Sequence, residues 1–95
     1  GPAYVYYFIK AMIDGGVKGG LSFEQSKELT IATMIGASKM VANSSENLDA
    51  LIQKVCSKGG TTIQAIDTFR DKSLDKSIIE GIDKCRIRSE ELSKS

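Results

Sequence analysis

The chain has 95 residues, 41% of them hydrophobic and 26% charged, and reads as one small domain, 1–95, able to bury roughly 60–65% of its unfolded surface. Lys plus Arg number 13 against 12 Asp plus Glu, a balance without the electrostatic footprint that nucleic acid or an anionic membrane requires. The absence of histidine excludes Ser-His-Asp and Cys-His catalysis, and Cys56 and Cys85 cannot by themselves complete a four-ligand metal site.

No apolar run approaches the ~20 residues of a membrane span. The opening Gly1-Pro2 carries no start methionine and no basic-then-apolar leader, as expected of an excised piece or a tag remnant. In the first segment Val5, Phe8, Ile9, Met12 and Ile13 follow the i, i+3, i+4, i+7, i+8 stripe of an amphipathic helix. Pro2 suits its first turn, and Gly15-Gly16 is the expected exit. A second helix is predicted from Ser22 to about Ala42. Ser22-Phe23-Glu24-Gln25 reads as a capping box. Leu29, Ile31, Ala32, Met34, Ile35, Ala37, Met40 and Val41 wrap more than one face of it. Such a helix is expected to be covered on two sides, one of them by another chain, with Gly36 permitting a close backbone approach.

Asn43-Ser44-Ser45 is a polar break. Leu48, Leu51, Ile52 and Val55 predict a short helix that stops before Ser57-Lys58-Gly59-Gly60. Thr61 or Thr62 is the expected cap of the next helix, with Ile63, Ile66 and Phe69 on its inner face. Arg70-Asp71-Lys72 reads as a charged turn and Ser73 as a cap. The last helix carries Ile78, Ile82, Cys85, Ser89 and Leu92 at alternating spacings of four and three. That is a 3.5-residue seam of the kind that packs lengthwise against another long helix. Its tail, Glu90 to Ser95, is expected to fray. The reading is all-α, a bundle of five helices.

Two glycine-rich stretches bear on chemistry. Asp14-Gly15-Gly16-Val17-Lys18-Gly19-Gly20 follows no strand, so it is a helix exit and turn rather than a dinucleotide fingerprint. Ser57-Lys58-Gly59-Gly60-Thr61-Thr62 combines paired glycines, three hydroxyls and a helix start, and is able to hold a carboxylate or a phosphate. A tight turn with a threonine cap is the plainer reading of the same residues. It is not a Walker loop, since Lys58 precedes the glycines. Cys56 and Cys85 are expected as buried small hydrophobes. Asp67, Asp71, Asp75 and Glu80, among Arg70, Lys72 and Lys76, read as a solvated helical face.

Several of these pieces recur together elsewhere. Gly1-Pro2-Ala3-Tyr4, Asp14-Gly15-Gly16-Val17, Gly36-Ala37-Ser38-Lys39-Met40, Ser57-x-Gly59-Gly60-Thr61-Thr62-Ile63 and Arg88-Ser89-x-Glu91-Leu92 resemble, in order, the C-terminal domain of pyrroline-5-carboxylate reductase. The resemblance implies native sequence at Gly1-Pro2, a helical homodimer with interlocked long helices, open to higher assembly, and a cytoplasmic enzyme. It also implies the last step of proline biosynthesis, reduction of 1-pyrroline-5-carboxylate to L-proline by NADPH or NADH. The cofactor would be bound by an N-terminal Rossmann domain that this chain lacks, so the chain alone is not a complete catalyst; no metal is implied. Carried over by position, Ser57, Gly59, Gly60, Thr61 and Thr62 form the substrate-carboxylate loop, and Thr62 is the catalytic residue whose hydroxyl meets the ring nitrogen. Lys58 departs from the family's usual proline, giving the loop backbone freedom and a cation expected to face water. A non-catalytic helical interaction module, with residues 78–92 as a partner-helix groove, is the alternative.

Overall fold

The computed structural model describes residues 2–94. Five helices follow one another, α1 (Pro2–Lys18), α2 (Phe23–Asn43), α3 (Leu48–Lys58), α4 (Gly60–Asp71) and α5 (Leu74–Lys94), with no strand among the described residues. They form two compact units, Gly1–Asn47 and Leu48–Ser95.

The first unit is the α1–α2 hairpin. Among its described residues Ile13 is the one buried large apolar side chain, and Phe8, Ile9 and Gly16 are half-buried. Val5 and Met12, on the same stripe, stay exposed. Phe8 also holds the rings of Tyr4 and Tyr7 at centroid distances of 6.3 and 6.5 Å, within the range of favourable aromatic pairs.

The helix exit differs from the expectation at Gly15-Gly16, because α1 continues through both glycines to Lys18. The second glycine pair ends it. Gly20 takes φ 114°, its N–H donates to the Val17 carbonyl at 3.0 Å, and the Leu21 N–H donates to the Gly16 carbonyl at 3.1 Å. These are the two bonds of a Schellman motif, whose left-handed residue is normally glycine. The chain then re-enters a helix at once. Ser22 is the N-cap of α2, accepting the Gln25 N–H at 3.1 Å while the Gln25 side chain accepts the Ser22 N–H at 3.0 Å. The capping box stands as expected.

Gly16 has a different task. A Cβ there would lie 3.0 Å from the Ser26 Cβ and collide with the Ser26 hydroxyl. Ser26 is 2% exposed and donates to the Ile13 carbonyl at 2.8 Å, so the missing side chain is where α2 rests on α1. Gly16→Ala is expected to lower stability by about 1–3 kcal/mol, the usual cost of overpacking, although alanine suits a helix better than glycine by about 1 kcal/mol. Thermal melting followed by circular dichroism checks the sign; a raised melting point would contradict the close contact.

In the second unit α3 packs on α4 and α4 on α5. Here α3 does not stop before Ser57 but runs through Lys58. Lysine is a good helix former and supplies the N–H of one further helical bond. The cap of α4 is Gly59, with extended backbone (φ −164°, ψ 147°) and no side-chain bond, not Thr61 or Thr62. Ile63 and Ile66 are half-buried as expected, whereas Phe69 is 47% exposed. Ser73 does precede α5, and its carbonyl accepts from Ser77 at 3.1 Å. However, its φ of 57° is left-handed, where an ordinary N-cap is extended. The expected fraying does not occur through Lys94, since Ser93 donates to the Glu90 carbonyl at 3.0 Å within the helix; Ser95 lies outside the described residues.

The cysteines also depart from expectation. Cys56 is half-buried and Cys85 exposed. Ile82 and Leu92, on the same seam as Cys85, are 46% and 58% exposed. The predicted charged face is solvated, with Asp67, Asp71, Asp75 and Glu80 all exposed. Arg86 donates to Asp83 at 2.7 Å and Glu90 at 2.8 Å, and these hydrogen bonds, Asp83 first, hold its guanidinium above the usual arginine range.

Candidate functional site

The α4 start gathers most of the residues singled out in the sequence. Gly60, Thr61 and Thr62 are its first three residues. The first N–H groups of any α-helix lack acceptors within the helix. What becomes of them depends on the cap. At α2 the Ser22 hydroxyl accepts one such N–H. At α4 the cap is a glycine without a side chain, so no cap side chain covers the N–H groups of Thr61 and Thr62. The helix dipole adds partial positive charge at the same end. All of Gly59 to Thr62 are exposed.

Ser57 is held differently. It sits in the last turn of α3, and its hydroxyl donates to the Lys54 carbonyl at 3.1 Å. In this conformation its single proton is spent on its own helix, and the oxygen can only accept. A role as donor to an anion requires rotation about χ1. Lys58 is exposed and closes α3, where a cation complements the negative end of the helix. The backbone thus joins Gly59, Gly60, Thr61 and Thr62 at one helix end and leaves Ser57 on the preceding helix.

Two glycines named in the sequence, Gly59 as a loop residue and Gly16 as a helix exit, take other roles in the structure. Gly59 serves as cap, a role for which glycine ranks close to threonine; the signal was present but ambiguous. Gly16 marks the α1–α2 contact, and its signal, one small residue opposite another on the facing helix, needs the pairing of the helices to be known. Among the described residues no group of three or more His, Cys, Asp or Glu could hold a metal ion, and no helix is long and apolar enough to cross a membrane.

Helices with large apolar faces left open, and one helix start with uncovered donors, define a helical assembly module. The comparisons give the family. The chain belongs to the pyrroline-5-carboxylate reductase dimerisation family, whose model matches residues 1–92. It is 43% identical over 94 residues to pyrroline-5-carboxylate reductase of Escherichia coli (strain K12), covering 99% of this chain and 35% of that protein. Its identity to the Kluyveromyces lactis reductase is 35% over 92 residues, with 97% and 32% covered. The crystal structure of Plasmodium falciparum pyrroline carboxylate reductase with NADP bound superposes with a TM-score of 0.80 at 38% identity, covering 83% of this chain and 30% of that one. The chain therefore spans about a third of the length of these relatives.

Proposed function

We propose that this chain is the C-terminal dimerisation and substrate-binding domain of a cytoplasmic pyrroline-5-carboxylate reductase, one functional unit over residues 1–95. The whole protein would reduce 1-pyrroline-5-carboxylate to L-proline, the last step of proline biosynthesis. The observation that carries the site is the glycine-capped start of α4, where backbone donors lack a covering side chain. In this reading the N–H groups of Gly60, Thr61 and Thr62 hold the substrate carboxylate through charge-assisted hydrogen bonds, each worth about 1.5–3 kcal/mol. Gly59 leaves the approach open, and the Ser57 hydroxyl joins after leaving the Lys54 carbonyl. The Thr62 hydroxyl lies against the ring nitrogen and gives it a proton, which a water behind the hydroxyl replaces.

The reduction itself needs a hydride on the ring carbon. A Rossmann dinucleotide fingerprint has a strand before its glycine-rich turn, and the described residues contain no strand, so that fingerprint does not lie among them. NADPH or NADH held by a separate N-terminal domain would supply the hydride. The contribution of this chain is positioning and one proton, which agrees with the absence of histidine.

A homodimer follows from the open faces. Leu29, Ile35 and Met40 of α2 and Ile82 and Leu92 of α5 are large apolar side chains left 46% to 59% exposed, and faces of this kind mark protein–protein contacts. Interlocked long helices from two copies would cover α2 and the α5 seam, and assembly beyond the dimer is compatible with this. Nucleic acid and membrane are not partners in this reading. The non-catalytic module is the less favoured alternative, since it leaves the family match without a role.

The test is direct. The full-length protein should run at twice its monomer mass in size-exclusion chromatography with light scattering. It should also oxidise NADPH or NADH only when 1-pyrroline-5-carboxylate is present. A dimer inactive with both cofactors would favour the non-catalytic module.

A further inference from the structure

Ser57 is the residue of the proposed carboxylate site that does not stand with the others. It is helical, in the last turn of α3, and its hydroxyl donates to the Lys54 carbonyl at 3.1 Å. Bonds of this kind recur at Thr68 and Ser93, on the Gln64 and Glu90 carbonyls, so this one belongs to ordinary helical structure. Direction matters as much as the bond. Cα–Cβ bonds in an α-helix tilt toward its N-terminus, so the Ser57 side chain is aimed back along α3. The N–H groups of Gly60, Thr61 and Thr62 lie ahead of it, in the first turn of α4. Rotation about χ1 frees the proton but does not bring the oxygen forward while residue 57 stays helical.

What keeps it helical is the residue that follows. α3 ends at Lys58, and one extended residue, Gly59, separates it from α4. The helical pattern directs the Lys58 N–H at the carbonyl four residues back. That carbonyl is Lys54, the acceptor of the Ser57 proton. One oxygen thus ties down both residues.

Resting on the substrate reading above, we infer that Lys58 is a positioning residue: its backbone closes the last turn of α3, and the substrate binds by opening that turn, which carries the Ser57 hydroxyl forward to the carboxylate. The open form is the competent one, and the apparent affinity is reduced to the fraction of molecules that hold it. The Lys54 carbonyl passes its two donors to water at an exposed residue. In return the Ser57 hydroxyl gains a charged acceptor, which makes the stronger kind of hydrogen bond.

The experiment measures steady-state kinetics of the full-length protein with 1-pyrroline-5-carboxylate at saturating cofactor, for Lys58→Pro and Lys58→Ala, each with and without Ser57→Ala. Proline has no N–H and disfavours the helical region in the residue before it, so Lys58→Pro opens the turn in advance. Its KM falls about three- to tenfold, the factor for a competent fraction of roughly 10–30%, and kcat stays within about twofold. The gain vanishes in the Ser57→Ala background, which a general loosening of the loop would not cause. Lys58→Ala keeps both the N–H and the helical preference and has the wild-type KM. Should Lys58→Pro lose helix content by circular dichroism, Lys58→Gly, which weakens the turn, decides by the same sign. An unchanged or raised KM in a folded Lys58→Pro, or a gain that survives Ser57→Ala, overturns the inference. A raised KM in Lys58→Ala also overturns it, since the ammonium and not the backbone would then act. A full-length protein inactive with both cofactors overturns the substrate reading itself.

Discussion

Thr62→Ala in the full-length reductase is expected to lower kcat about 100-fold while KM changes by no more than about threefold. The size follows from the proposed role: a positioned proton donor is typically worth 10²- to 10⁴-fold, and a hydroxyl resupplied by water belongs at the lower end. The asymmetry follows from the α4 geometry. Thr62 is the third residue of the helix, and alanine retains its backbone N–H, so the carboxylate contact survives when the hydroxyl is removed. Loss confined to kcat marks an interaction made in the transition state rather than in the bound complex. Thr62→Ser should recover most of the rate, since it restores the hydroxyl and removes only a methyl group. Steady-state kinetics at saturating cofactor reads both constants. A wild-type kcat in Thr62→Ala would remove the proton role, and a large rise in KM would mean that the side chain, not the backbone, holds the substrate.

Ile82→Asp should abolish the dimer. Ile82 lies in the centre of the α5 seam and is 46% exposed in the single chain, a state in which an aspartate would be harmless. In the proposed dimer the same position is enclosed, and an unpaired carboxylate taken out of water costs several kcal/mol. Two copies of the variant would incur that cost twice across one interface. The expected readings are a light-scattering mass near that of the monomer, loss of reductase activity and a lower melting point, with Ile82→Leu close to wild type. A stable dimer of Ile82→Asp would put the α5 seam outside the interface. The two substitutions separate the parts of the account: Thr62→Ala leaves the assembly intact, and Ile82→Asp removes it.

What the sequence reveals in advance depends on how far apart the deciding atoms lie. The Ser22 cap was readable because both of its bonds join residues three apart. The end of α1 was ambiguous because two glycine pairs stand within six residues, and the left-handed residue is Gly20, next to the capping box. At α4 a threonine side chain and a bare glycine compete for the cap with similar propensity. The glycine takes it, because α3 extends through Lys58 and leaves a single extended residue before α4 begins. The backbone donors on which the proposed anion site rests are thereby left without a cap side chain. The 3.5-residue spacing of the α5 seam announced a partner, but a pattern within one helix does not name the helix that covers it. Buried residues are correspondingly few in the single chain, with Ile13 the one buried large hydrophobe among those described.

The carboxylate grip of the α4 start is tested most directly by titrating L-proline into the isotopically labelled dimer and following backbone amide resonances. Saturable shifts of the Gly60, Thr61 and Thr62 amides, with Gly16 and the α5 seam unmoved, are the predicted result. Silent amides at these three positions at a proline concentration that inhibits the full-length enzyme would contradict it.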